Sequence, residues 1–437
     1  MQTAAEIMSD LIDRFLYTRS RTDLDTLIRA ASMVAPANDL ALPPHLDLVT
    51  RALAQATRPG IGAELAGLAS QLRQVSGRDQ DPDALAAALL LAQVAVRTGD
   101  RASVEGMLSA AILGSCLATD FWVNHRLGSL LESVVVLRDA YEAAELGSPV
   151  WITAATELAM SLKMLAEFQA ENISLYEAEE IFALLLRTAP EYAEIASTYH
   201  NYADLLTVKY SRENDPKILD EIIRSHESSV AATDAGHPYF FVRRHGLAEA
   251  LLNRFVQSDE RTDDLDRAIR ALEVQSSTTA MVAPPIAPPT LYSSFLLLRY
   301  DYQGAEEDFR RAVDHSPDFT TAAELLPATT AAGRRCLEGV IELLIWEKAP
   351  VEDRVVLAFD RFTEALELDR FKLSARWGVL AAAAAMPANE GFAEQATAQA
   401  ESVNLTGIHG RWINDPLTII MQRMFRRLET AAADRSE

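Results

Sequence analysis

Cysteine is nearly missing from this chain: two in 437 residues, Cys116 and Cys336, far apart. Two distant thiols build neither a disulfide framework nor a four-Cys zinc site. Glycine is scarce too, at 18 residues, against a usual share of about 7%. Basic residues run short, with 40 Lys and Arg facing 63 Asp and Glu and a formal net charge of −23. A protein that tracks phosphates needs the opposite balance, so the charge argues against a general nucleic-acid binder. It favours a basic partner instead, through electrostatic steering. No unbroken run of apolar residues is long enough for a membrane span, which predicts that nothing crosses a bilayer. The start, MQTAAEIMSDLIDRF, places acids where a signal peptide needs a basic and then an apolar stretch. These features point to a cytoplasmic protein. Strand signals are almost absent as well. The β-branched run Val134-Val135-Val136 sits in FWVNHRLGSLLESVVVLRDAYEAAEL, where apolar residues recur at helical spacing, and the whole stretch reads as helix.

What is abundant is alanine, roughly one residue in six. Ala loses least on entering a helix, so the composition favours an all-α chain. Internal repetition sharpens this. RTDLDTLIRA (21–30), NDPKILDEIIRS (214–225) and RTDDLDRAIRA (261–271) each run from a polar, Asp-containing turn into Leu-Asp and a second aliphatic residue one turn on. The Asp cluster suits a helix N-terminus, and the pairs Leu219–Ile223 and Leu265–Ile269 share a face. Weaker copies are AEEIFALLLRTAP (178–190), AEEDFRRAVDHSP (305–317) and AFDRFTEALELD (358–369). Their anchors, Phe182, Ile223, Ile269, Phe309 and Phe362, lie 41, 46, 40 and 53 residues apart. A second element precedes these copies: STYHNYADLLTVKY (197–210) aligns with VRRHGLAEALLNRF (242–255), and VNHRLGSLLESVVVL (123–137) and RCLEGVIELLIWEK (335–348) follow the same logic. Helix, short turn, helix at such a period marks an α-solenoid of stacked antiparallel hairpins. The predicted organisation is degenerate helical repeats over 1–150, clear repeats over 151–390 and capping helices over 391–437.

These repeats resemble the tetratricopeptide-repeat family, and most closely the long Asp-rich repeats that precede CHAT peptidase domains. The resemblance is best over about residues 175–380. It implies a TPR-like superhelix whose first helices line a concave groove, where Asn, Lys and Arg clamp a peptide. The residues matching by register are His200, Asn201, Arg244, His245 and Asn253, with Arg334 and Arg335 further on. Asn offers a donor and an acceptor to an extended backbone, and Arg grips a carboxylate bidentately. The peptidase does not carry over: no peptidase-sized domain follows, and His409-Gly410 has no Cys downstream.

Two segments break the array. MVAPPIAPPT (281–290) holds four Pro within six residues, which forbids a helix and leaves a long loop or a lid in the groove. NDPLTIIMQRMFRRLE (414–429) starts a helix at Asp415-Pro416. Its stripe of Leu417, Ile420, Met421, Met424, Phe425 and Leu428 can cap the array, pair with a second copy of the chain, or lie on a membrane beside Arg423, Arg426 and Arg427.

The sequence carries no phosphate loop, no dinucleotide fingerprint, no H-E-x-x-H and no G-x-S-x-G. His125, His200 and His245 each stand three residues before a small residue, which puts them in one register, but the usual spacing of packed helices makes a mononuclear zinc shared between neighbours strained. Neither a metal nor a cofactor is expected. Cys116 reads as a small buried hydrophobe, whereas Arg334-Arg335 beside Cys336 can favour a thiolate. Phe121-Trp122 and Tyr239-Phe240-Phe241 are either core packing or exposed anchors. The leading reading is a non-catalytic scaffold or adaptor with a protein or peptide in its groove. Behind it stand a regulatory subunit that self-associates through the C-terminal helix, and an enzyme with His200 or His245 as general base.

Overall fold

A computed structural model describes residue 26 and residues 61–79, 82–98, 100, 102–168, 172–257, 262–273, 288–315, 328–387, 389–402 and 415–436. Those residues form seventeen helices and, among them, no strand. The chain divides into two compact units, Met1–Leu205 and Leu206–Glu437.

The first unit contains α1 (Ile61–Asp79), α2 (Pro82–Thr98), α3 (Val104–Asn124), α4 (Leu127–Ala143), α5 (Pro149–Phe168) and α6 (Ile173–Thr188), and α7 (Ile195–Glu213) holds the division. Helices adjacent in sequence pack against each other and are joined by short turns, the arrangement of stacked hairpins. Its core is small and dense, with Leu65, Leu72, Leu91 and Cys116 fully enclosed among alanines. Two expectations change here. The stretch read as one helix breaks at His125, which takes a left-handed conformation (φ 55°) and caps α3 by donating its N–H to the Phe121 carbonyl at 2.8 Å. His125 is therefore a turn residue and does not share a helical register with His200 and His245. Moreover, α3 is long and apolar enough to cross a membrane by length and composition, but 67% of that stretch is buried in the unit, as a core helix would be.

The second unit runs through α8 (Pro216–Ala231), α9 (Phe240–Gln257), α10 (Thr262–Glu273), α11 (Pro288–Gln303), α12 (Glu306–Asp314), α13 (Ala328–Lys348), α14 (Glu352–Leu368), α15 (Leu373–Ala385), α16 (Glu390–Ser402) and α17 (Pro416–Ser436). Helix α8 shows why these segments fold as they do. Asp215 accepts from the Lys217 N–H at 3.0 Å, Pro216 occupies the first helical position, and Ile218, Leu219, Ile222 and Ile223 bury one stripe. Pro288 and Pro289, the end of the Pro-rich break, start α11 instead of extending the loop, because a first turn needs no proline N–H. Residues 281–287 and His409-Gly410 lie outside the described residues, as does the repeat copy at 21–30 apart from Thr26.

Ion pairs fix the register of the hairpins. Arg254 on α9 grips Asp264 of its own hairpin with Nε and Nη2 (2.8 and 2.6 Å) and reaches back with Nη1 to Asp220 on α8 at 2.7 Å. Arg299 on α11 repeats the pattern, holding Asp308 at 2.7 and 2.6 Å and Asp266 on α10 at 2.6 Å. Arg267 with Glu227, and Arg311 with Glu273, form a second row, and Lys348 with Glu306 (2.7 Å) adds a further rung. Asp264 and Asp308 are buried, so each carboxylate depends on its arginine. In return the hydrogen bond to Asp264 holds the Arg254 guanidinium above its ordinary pKa, and Asp308 does the same for Arg299. The repeat is thus 44 residues from Asp264 to Asp308. Pairing Ile269 with Phe309 by side-chain type misplaced it by one helical turn.

Packing closes the far end. The Phe362 ring on α14 is fully buried where Gly339 of α13 and Gly378 of α15 approach it; a Cβ at either position would stand 2.8 and 2.4 Å from the ring. Helix α17 lies on α11, α13 and α15, with Leu417, Ile420, Met421 and Met424 no more than 1% exposed. The stripe is therefore spent as a cap within its own unit. A second copy could use it only by displacing those helices. Arg423 and Arg427 bond Asp301 at 2.8 and 2.9 Å, and Arg427 also bonds Glu347 at 3.1 Å, which commits two of the three arginines considered for a membrane surface. At its start, Asp415 accepts from the Leu417 N–H (3.0 Å) and from Ser374 (2.7 Å) and pairs with Lys372 (2.9 Å).

Candidate binding surface

The residues chosen for a groove are dispersed. On α7, His200 stands 3.9 Å from Asp204, one turn on, and Asn201 beside it is half-buried. On α9, His245 lies 3.4 Å from Glu249 and stacks on Phe241. Its neighbour Arg244 sits over the Phe240 ring at 5.1 Å and donates to the carbonyls of Arg270 (3.0 Å) and Ala271. Those are the last carbonyls of α10, where a helix welcomes a cation. Burial pulls the Arg244 pKa down. Asn253 and Arg334, by contrast, are 1% and 5% exposed. The Asn253 amide donates to the Glu249 carbonyl at 2.8 Å, so both residues serve the interior and offer a partner no surface. Arg335 is half-buried in a cluster with Glu338 (2.8 Å) and Glu364 (2.9 Å), the same acids that hold Arg361. Arg244 and His245, though chain neighbours, turn to different partners, the end of α10 and Glu249. Both thiols are buried, and burial pushes each up to about 12, so the arginines near Cys336 do not make it a thiolate.

A different surface emerges in the first unit. On α4, Leu127, Leu131 and Val135 fall at i, i+4 and i+8, and they are 47%, 47% and 56% exposed. On the adjoining stripe of α4, about 100° around the helix, Leu130, Val134 and Leu137 fill the core. The exposed row continues to Arg138, which forks onto Glu177 of α6 with bonds of 2.8 and 2.9 Å. The row therefore faces the side of α4 next to α6, where Ile173 and Tyr176 are also exposed. Two aromatics are exposed at the ends of α3 and α5. Phe121 is buried and meets Phe168 edge-on at 5.3 Å, while Trp122 and Phe168 expose about three-fifths of their surface. Of the two aromatic runs, Trp122 and Tyr239 are the exposed members.

The other flank of α4 borders a pocket of about 390 Å³ formed with α2 and α3. Val96, Leu113, Val136 and Ala140 give it an apolar lining, and Glu132, Asp139 and Arg97 are its charged lining residues. Sequence reasoning missed both features. The only available signal was that α4 carries apolar residues on more than one face, which periodicity alone does not separate from a helix buried all round.

No family model matches the chain, and no curated protein matches it. Among solved structures, the human IFIT1 dimer with PPP-AAAA is similar over 83% of this chain and 81% of that one, at 13% identity and a TM-score of 0.38. A likeness that distant carries nothing about what this chain binds. The helical-repeat architecture stands on the helices and their pairing, and nothing in these comparisons supports the more specific resemblance to CHAT-associated repeats.

Proposed function

We propose that the chain is a non-catalytic helical-repeat scaffold that carries a protein or peptide partner, and that the partner docks on the α4–α6 face of the first unit. One observation carries this reading: Leu127, Leu131 and Val135 form an exposed apolar row on a helix whose adjoining stripe of Leu130, Val134 and Leu137 is already in the core. Scattered exposed apolar residues need no explanation, but three at successive turns of one helix, beside exposed Ile173 and Tyr176 on α6, are the composition of a contact surface. The surface competes with a smaller one in the second unit, where Leu368, Phe371 and Leu373 are exposed around the α14–α15 turn.

The test is affinity capture from the host lysate with three baits: the unaltered protein, Leu131→Gln with Val135→Gln, and Phe371→Ala. A stoichiometric partner recovered by the first and third baits and lost by the second is the expected result. Equal recovery by the α4 double variant, or loss with Phe371→Ala, overturns the assignment.

A further inference from the structure

We infer that the partner segment is a basic amphipathic helix lying along α4, a statement that rests on the docking reading above and adds the chemistry of the occupant. The exposed row from Leu127 to Val135 spans about 12 Å at the rise of an α-helix. It ends where Arg138 and Glu177 close the space between α4 and α6. Both walls are helices whose backbone groups are already bonded within them, so strand addition has no edge to use. A segment that buries apolar side chains here must satisfy its own backbone, and a helix with one apolar face does so.

Charge sets the rest of its composition. Helix α4 exposes Glu132, Asp139 and Glu142, and no ion pair with any of them is recorded among the described residues. Its single cation, Arg138, is committed to Glu177. Glu132 and Asp139 stand about 100° and about 80° around the helix from Leu131, so these two acids flank the apolar row, and Glu142 lies in line with it beyond its end. A partner helix seated on the row places its own flanking residues over Glu132 and Asp139. The adjoining pocket has room for the aliphatic stem of a Lys or Arg, with those two carboxylates for its head and Arg97 as the only cation among its described lining residues. The chain's net charge of −23 steers such a helix inward.

Fluorescence anisotropy on the full protein tests this with three labelled peptides, each about four turns long and apolar on one face: Leu–Lys, Leu–Gln and Leu–Glu. The Leu–Lys peptide should bind most tightly and lose affinity as salt rises. Leu131→Gln with Val135→Gln should weaken it about tenfold, and Glu132→Gln with Asp139→Asn about threefold. Glu352→Gln with Asp353→Asn, a control on α14, should change nothing, and thermal unfolding of each variant verifies folding. Equal binding of Leu–Gln and Leu–Lys overturns the basic helix and leaves apolar docking standing. Leu–Lys binding that ignores the α4 apolar pair, or falls equally with the α14 control, overturns the docking surface itself.

Discussion

The acids of the second unit's ladder and those of α4 in the first unit are used in opposite ways. In the second, Asp220, Asp264, Asp266 and Asp308 are all engaged by Arg254 and Arg299, and the carboxylates tie each hairpin to the one before it. In the first, Glu132, Asp139 and Glu142 on α4 stand exposed beside an exposed apolar row. An Asp-rich sequence therefore does not mean an acidic binding face. Where the acid opens a repeat's second helix it is consumed by the fold; where it lies mid-helix beside unburied leucines it remains available. Substitution in the second unit should cost stability, and substitution along α4 should cost binding.

The comparison breaks most visibly at Phe362, fully enclosed between two glycines. Phe362→Ala should destabilise the second unit by about 3–5 kcal/mol. Because two units need not unfold together, the measurement is urea unfolding followed by Trp346 and Trp377, with Trp122 and Trp151 reporting the first unit. Asp264→Ala comes next. It strips a buried partner from Arg254, which stays only 15% exposed, and should cost about 3 kcal/mol by the same measurement. A loss below the resolution of urea unfolding would mean that the ladder decorates the repeats without holding them.

Smaller is the effect at the terminal cap. Burial pulls the Lys372 pKa down, but Asp415, through its charge and its hydrogen bond, outweighs it and leaves the group above its ordinary 10.5. A raised folded-state value means this contribution is complete below 10.5 and is lost as pH climbs through the raised value. Lys372→Met should therefore cost about 1–2 kcal/mol at neutral pH, and the gap from the unaltered protein should narrow in alkali above 10.5. A gap independent of pH would assign the loss to packing. Smallest is Leu131→Gln with Val135→Gln, which should shift stability by less than about 0.5 kcal/mol while abolishing partner capture. A large loss of stability would return that row to the core.

Much of this architecture was legible in the residues. Ala-rich helical spacing, Asp-led helix starts and the Asp415-Pro416 cap signal all act within a turn or two of chain, so the sequence displays them directly. The repeat register was harder, because Ile269 and Phe309 match by type while the geometry equates Asp264 with Asp308. The break at His125 depends on a left-handed turn that a non-glycine residue rarely announces. The site was least legible. Asn253 and Leu131 both lie on amphipathic helices, yet one is enclosed and the other open. Which face a neighbouring hairpin covers is decided by packing across tens of residues, not by the helix's own period.

The central claim, that the open face of α4 receives the partner while the ladder of α8–α12 holds the second unit, is tested most directly by hydrogen–deuterium exchange with and without the captured partner. The account predicts slowed exchange over 127–139 and 173–180, with α8–α12 unchanged. Protection that falls on α8–α12, or no protection along α4, would contradict it.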